Sequence, residues 1–198
     1  MGLWQFMPGT GAMYDLTCNS TIDQRKNIYA ATEAACRHFV DLYHIYHDWN
    51  LVLAAYNAGA GNVNRAIKKS GDKQTYWEIY DFLPRETRGY VPTFIAVNYM
   101  MKYHIQHNIY PANEGIMANN ATLDTLYINQ KLSFYEVARM ANVSIETVLD
   151  LNPQYSKKII FASPNQPMII TLPKEAIANF IRFRNDLLLL ELEAKLEN

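Results

Sequence analysis

The sequence predicts a mainly α chain: a helical domain over residues 1–110, a linker over 111–122, a small βααβ unit over 123–173 and a C-terminal helix over 174–198. Three observations predict it. Apolar residues recur at steps of three and four through much of the first hundred positions, the period of a helix face set against a core. Around Pro111–Thr122 the composition turns to Pro, Asn, Gly and Ala, which reads as a connection. Beyond it, two short apolar runs bracket two helical segments that each start at a serine.

Taken in order, Ile28, Ala31, Ala35, Phe39, Leu42 and Tyr46 mark one face of a long helix. Trp49 to Ala58 repeats the pattern through Leu53 and Tyr56 and stops at Gly59, a residue that tolerates positive φ. Asn62 is placed to cap a helix through Lys69 that ends at Gly71, and Tyr76 to Phe82 forms a turn or two before Pro84. From about Thr87 to His107, Val91, Phe94, Ile95, Asn98, Met101 and Ile105 share a face, with Pro92 accommodated in the first turns. In the second half, Leu126-Tyr127-Ile128 and Met168-Ile169-Ile170-Thr171 are strands, and Ser133 and Ser144 open the two helices, Ser133 with Glu136 as a capping box. Lys174 to Glu197 is a helix whose Leu187–Leu190 run is apolar all round, so it packs onto its own βααβ unit or onto a second copy.

Composition narrows the function. Hydrophobic residues make up 49% and aromatic ones 13%, so the chain has ample material for a core and disorder is excluded. Eighteen Lys and Arg against nineteen Asp and Glu give a net charge of −1, which provides no field for nucleic acid or anionic lipid. A neutral polymer or small ligand suits it better. No apolar run approaches the ~18 residues of a membrane span. The opening residues carry neither a basic leader pattern nor a Ser or Thr at position 6, so the sequence is silent on localisation. Cys18 and Cys36 form no metal-ligand spacing, and Cys36 falls on an apolar helical pattern as a small core residue.

Three dense polar-aromatic strings stand out, each at a helix end: Gly2-Leu3-Trp4-Gln5-Phe6-Met7-Pro8, Ala54-Ala55-Tyr56-Asn57-Ala58-Gly59-Ala60-Gly61-Asn62-Val63, and Leu83-Pro84-Arg85-Glu86-Thr87-Arg88-Gly89-Tyr90-Val91-Pro92. A Tyr-Asn pair leading into Gly-Ala-Gly suits a carbohydrate site. The ring covers a sugar face, the amide offers donor and acceptor, and the glycines let backbone approach the ligand. Taken singly, each residue also has an ordinary role: Gln5 as a solvated polar group, Tyr56 as a core aromatic, Asn57 as a local cap.

In this order and spacing, the strings resemble the lytic transglycosylases of glycoside hydrolase family 23, in particular their membrane-bound murein D type. Gly2-Leu3-Trp4-Gln5 is similar to the family's Gly-Leu-Met-Gln motif, Ala55-Tyr56-Asn57 to its Ala-Tyr-Asn motif, and Glu86-Thr87-Arg88-Gly89-Tyr90-Val91 to its final motif. Asp23-Gln24-Arg25 and Trp49 also look like that subgroup. Residues 123–173 resemble a LysM module, which binds N-acetylglucosamine-containing glycans, although Asn129-Gln130-Lys131 stands where many such modules have Gly-Asp. The resemblance implies a lysozyme-like α domain, a glycan groove lined by Gln5, Tyr56, Asn57, Glu86 and Tyr90, peptidoglycan strands as partner, no cofactor or metal, and a periplasmic or outer-membrane setting.

It also implies a reaction. One Glu protonates the oxygen of the β-1,4 bond between N-acetylmuramic acid and N-acetylglucosamine. As carboxylate, it then takes the proton from the muramoyl C6 hydroxyl, closing a 1,6-anhydro ring. That Glu lies in a Glu-Ser motif ahead of Gly-Leu-Met-Gln, and this sequence starts at Met1-Gly2, so the expected acid precedes Met1. A fragment of a longer enzyme is the favoured explanation, and a non-catalytic glycan-binding envelope protein is the alternative. A helical protein dimerising through Leu187–Leu190 is the third. A fragment would leave open the apolar surface that the missing helix covers. Glu86 is expected to contact substrate rather than donate the proton, its ordinary role being an ion pair with Arg85 or Arg88. His44, His47, His104 and His107 fall in pairs three apart, and are read as surface histidines rather than metal ligands.

Overall fold

The computed structural model describes residues 2–110 and 123–196, so the expected linker falls outside the described residues. The chain divides into two compact units, Met1–Thr32 with Glu114–Asn198, and Glu33–Asn113. The mainly α class is borne out: among the described residues helices predominate, beside two small two-stranded sheets.

In the first unit, a turn at Gly2–Gln5 leads into α1 (Pro8–Met13), with proline at its start where no N–H is missed. A 3-10 turn (Gln24–Lys26) then brings Arg25 back under that turn. Buried Asp23 takes both Nε and Nη2 of Arg25 at 2.8 and 2.9 Å, and Nη1 donates to the Phe6 carbonyl at 3.1 Å. This paired hydrogen bonding holds the Asp23 carboxyl below its ordinary value. A Cβ on Gly2 would sit 1.8 Å from the Arg25 carbonyl oxygen, so only glycine fits there.

The rest of this unit is the βααβ arrangement the sequence predicts, with one addition. Strand β1 (Leu123–Ile128) pairs antiparallel with β4 (Met168–Pro173), Leu126 facing Ile170. Strands β2 (Lys131–Ser133) and β3 (Ile159–Phe161), not foreseen, make a second ladder with Leu132 facing Ile160. Between them, α7 (Phe134–Ala141) starts at the Ser133–Glu136 capping box and α8 (Ile145–Leu151) at Ser144. Their apolar faces, with Ile128, Ile170 and Leu172, form a core that Ile22 and Phe180 join. Phe180 and Ala176 lie on α9 (Lys174–Leu196), so the first turns of that helix pack onto their own unit. Leu187 and Leu189 are exposed, while the side chains of Leu188 and Leu190 lie outside the described residues.

The second unit holds most of α2 (Ile28–Tyr46), then α3 (Trp49–Ala58), α4 (Ala60–Lys69), α5 (Tyr76–Ile79) with a 3-10 turn (Tyr80–Phe82), and α6 (Arg85–Lys102). Its core gathers Leu42, Leu51, Val52, Ala55, Val63, Tyr76, Ile79, Leu83 and Val91. Four expectations are corrected. Helix α4 begins at Ala60, because Gly59 at φ +82° ends one helix and caps the next; Asn62 instead donates to the Ala58 carbonyl at 2.7 Å, closing the end of α3. On α3, Leu51, Val52, Ala54 and Ala55 carry the burial, with Leu53 and Tyr56 at its margin. Cys36 is exposed, one position off the buried stripe of Ala31, Ala34, Ala35 and Leu42 on α2. Of the expected face of α6 only Val91 is buried, with Thr87 buried one turn before it; Phe94, Ile95 and Met101 are exposed, as is Ile105 beyond the helix end.

Asn152 shows how much one buried amide can fix. Fully buried after α8, it donates to the Val148 and Thr171 carbonyls at 3.0 and 2.8 Å and accepts from the Thr171 N–H at 2.8 Å, tying α8 to β4. Asn152→Ala leaves both groups of Thr171 without that partner, and urea denaturation is expected to show a loss of about 2–4 kcal/mol. An unchanged midpoint would remove this amide from the forces holding β4.

Candidate functional site

Four of the five expected site residues lie in the second unit, on the facing ends of α3 and α6. Tyr56 and Asn57 occupy the last turn of α3 because the helix must stop at Gly59, whose positive φ excludes side chains. Glu86 and Tyr90 stand one turn apart on the opening turns of α6, which start directly after Pro84. The two helix ends are joined by one side-chain bond: the buried Thr87 hydroxyl donates to Asn57 Oδ1 at 2.9 Å.

Around that bond, the aromatic surfaces are ordered. The Tyr56 ring stacks on Phe39 with centroids 4.6 Å apart and leans against His38 at 5.5 Å. Burial, with Tyr90 adding to it, pushes the Tyr56 phenol up to about 12. Burial also lowers the His38 pKa, against the pull of Asp41. Tyr90 and Glu86 are exposed. No ion pair to Glu86 occurs among the described residues. Arg88 instead turns its Nε to the Leu83 carbonyl at 2.9 Å, so the carboxylate faces solvent without the partner the sequence suggested. A Cβ added at Gly59, Gly61 or Gly89 would meet nothing within 4 Å, so the backbone at these positions is open to approach.

A buried hydroxyl, invisible in the motif strings, positions the α6 side. Pro92 is the eighth residue of α6 and lacks the N–H that the Arg88 carbonyl would otherwise accept, a defect of about 3 kcal/mol inside a helix. The Tyr76 hydroxyl donates to that carbonyl at 2.8 Å and lies 3.3 Å from the Thr87 carbonyl. Pro92 is therefore accommodated by a tertiary contact rather than by lying in the first turn. In the sequence, Thr87 carries no signal beyond its place between Glu86 and Arg88, and Tyr76 none beyond the start of a short helix.

Gln5 belongs to the first unit. It sits at φ +53°, exposed, with its amide Nε2 donating to the Gly2 carbonyl at 2.7 Å across its own turn. The paired histidines have local roles: His47 ends α2 at positive φ with its ring edge-on to Tyr43, His104 Nδ1 lies 3.0 Å from the Ile109 carbonyl, and His107 meets the Tyr99 ring.

Residues 1–79 match the Transglycosylase SLT domain, and residues 122–187 match the LysM-like domain of lytic transglycosylase MltD. In both segments the chain is similar to the lytic transglycosylases. It is 30% identical over 179 residues to membrane-bound lytic murein transglycosylase D of Escherichia coli K12, and equally to that of the O6:H1 strain. The alignment takes in 88% of this chain but only 38% of those relatives, so the chain spans well under half their length. The first two polar-aromatic strings fall inside the transglycosylase match, and the Glu86–Val91 string follows it. No helix among the described residues is long and apolar enough to cross a membrane.

Two measurements probe the seam. Thr87→Val removes the donor to Asn57 at constant size, and a loss of about 1–2 kcal/mol in urea unfolding is expected. The second uses pH. The folded Tyr56 phenol, at about 12, lies above its unfolded value of ~10, so its contribution is complete below pH ~10 and is lost as pH rises toward 12. Tyr56→Phe should therefore flatten the alkaline fall in stability over that window, and an identical fall in both proteins would contradict the desolvation of this hydroxyl.

Proposed function

We propose that this chain serves the lytic transglycosylase reaction on peptidoglycan. Its helical residues hold the glycan beside the bond to be broken, and its LysM-like unit binds the same polymer. The observation that carries this reading is the α3–α6 seam: Tyr56-Asn57 and Glu86-Tyr90 lie on two helix ends locked by the Thr87–Asn57 bond. The backbone at Gly59, Gly61 and Gly89, close to these residues in sequence, is open to approach. The seam offers a ring edge, an amide, a carboxylate and an exposed phenol around bare backbone, the mixture that neutral sugars require.

On this reading, the half-buried Tyr56 and exposed Tyr90 cover sugar faces, the Asn57 amide donates to a sugar oxygen, and Glu86 accepts from a hydroxyl or acetamido N–H. Asn57 can do so because Thr87 occupies its carbonyl oxygen and leaves its amide nitrogen free to donate. Gln5, in the first unit, is proposed as a substrate contact on its own turn. The family reaction splits the β-1,4 bond between N-acetylmuramic acid and N-acetylglucosamine and closes the 1,6-anhydro ring with the sugar's own C6 hydroxyl. Holding the two sugars raises the fraction of time that hydroxyl faces the anomeric carbon. A LysM-like unit on the same chain raises the local glycan concentration. The periplasm or the outer membrane follows as the setting, because the polymer is there.

Calorimetric titration with N,N′,N″-triacetylchitotriose should show binding that weakens about tenfold in Tyr56→Ala, the loss of one ring contact of ~1.4 kcal/mol. Sacculi incubated with this chain, and with the chain extended upstream by a Glu-Ser segment, are then searched for anhydromuropeptides by mass spectrometry. Product from the extended chain supports the enzyme; binding without product from either supports the non-catalytic alternative. Absence of any binding removes both.

A further inference from the structure

We infer that Tyr76 is a positioning residue for the glycan-holding end of α6, acting through the Arg88 carbonyl that Pro92 leaves without a helical donor. The inference rests on the function proposed above and assigns the control of that surface to a residue that does not touch it.

The geometry is specific. The Tyr76 ring is fully buried, edge-on to Trp77 at 5.0 Å and to Tyr80 at 6.0 Å, in the same core as Ile79, Leu83 and Val91. Its hydroxyl meets the Arg88 carbonyl at 2.8 Å. Residues 85–91 form the two turns of α6 ahead of the proline, and they carry Glu86, Thr87 and Tyr90. Those turns lack the usual N–H contact at Arg88, so their direction relative to α3 is set by two side-chain hydroxyls: Thr87 to Asn57, and Tyr76 to Arg88. Burial raises the Tyr76 pKa, so the hydroxyl keeps its proton and remains a donor. Removing that donor frees the turns to swing about Pro92, carrying Glu86 and Tyr90 with them.

The inference carries its own rescue. Pro92→Ala supplies an N–H in the ordinary helical position for the Arg88 carbonyl and makes the Tyr76 hydroxyl redundant. The intact chain and its Y76F, P92A and Y76F/P92A variants are compared by triacetylchitotriose affinity and by amide hydrogen exchange over residues 86–92. Y76F is expected to bind about tenfold more weakly, with faster exchange across those residues. P92A should bind like the unaltered chain, and Y76F/P92A should recover affinity to within about twofold of P92A. A role confined to filling the core would not be rescued by restoring a backbone N–H on another helix. Equal weakness of Y76F and Y76F/P92A, or full affinity in Y76F, overturns the inference. Should Y76F alone not fold, Y76F/P92A against P92A decides: matched affinities support it and a tenfold gap overturns it. Failure of the unaltered chain to bind the sugar overturns the proposed function instead, and the exchange pattern then still shows whether Tyr76 holds the turns.

Discussion

A proline inside a helix sets the terms on which α3 and α6 meet. Pro92 takes a backbone donor out of α6 one turn after the residues that face α3, and a carbonyl without a partner in a dry seam costs as much as a lost hydrogen bond. The cheapest repair is a hydroxyl that reaches in from the core without adding a charge. Tyr76 does this from a fully buried ring, and that position fixes α5 beneath the start of α6. The Thr87–Asn57 bond then sets the rotation of α6 about its own axis, leaving Glu86 and Tyr90 outward and Val91 inward. Apolar packing alone specifies such a seam loosely, because Ala, Val and Leu faces slide; two directional bonds do not.

The first unit solves its own version of the same problem. Its core is assembled from short strands and three helices, and the polar groups buried there decide the register. Asn152 ties α8 to β4 through both the N–H and the carbonyl of Thr171. Asp23 and Arg25 do it for the N-terminal turns, where the guanidinium reaches the Phe6 carbonyl and Gly2 must be bare to let the Arg25 backbone pass. The Asp23 N–H and the Thr21 carbonyl also pair with the backbone of Gln154 and Ser156, so this segment adds to the loop after α8. In both units, a handful of satisfied buried polar groups does what hydrophobic volume cannot: it selects one arrangement among several of similar burial.

How much of this was legible follows from the range of the interactions. Helices α2, α3, α7 and α8 were readable because period, caps and stop glycines are local, Ser133–Glu136 and Gly59 above all. Strands β2 and β3 were not, because three residues carry no period and Lys131 opens one of them. The face on α6 was misjudged because periodicity reports a stripe without saying what lies against it, and Phe94 and Ile95 are exposed. The same limit misplaced Cys36. At the candidate site, Tyr56, Asn57, Glu86 and Tyr90 stood out as dense strings at helix ends. Thr87 and Tyr76 did not, since each acts across a separation of 30 or 12 residues to a partner that only the fold reveals.

The local costs in the second unit are concentrated where the strings are. A glycine within a helix, as at Gly89, costs about 1 kcal/mol against alanine, and an interior proline about 3 kcal/mol. Both fall within four residues of each other on the turns beside α3. An arrangement selected for stability alone would fill Gly89, where a Cβ meets nothing, and replace Pro92. Keeping Gly89 bare makes sense where backbone must stay reachable. The two hydroxyl bonds offset that cost from behind, out of solvent, and leave the outward face to an amide, a carboxylate and aromatic rings. A face of that kind suits a neutral, hydroxyl-rich polymer better than a charged or apolar one, which agrees with the near-zero net charge of the chain.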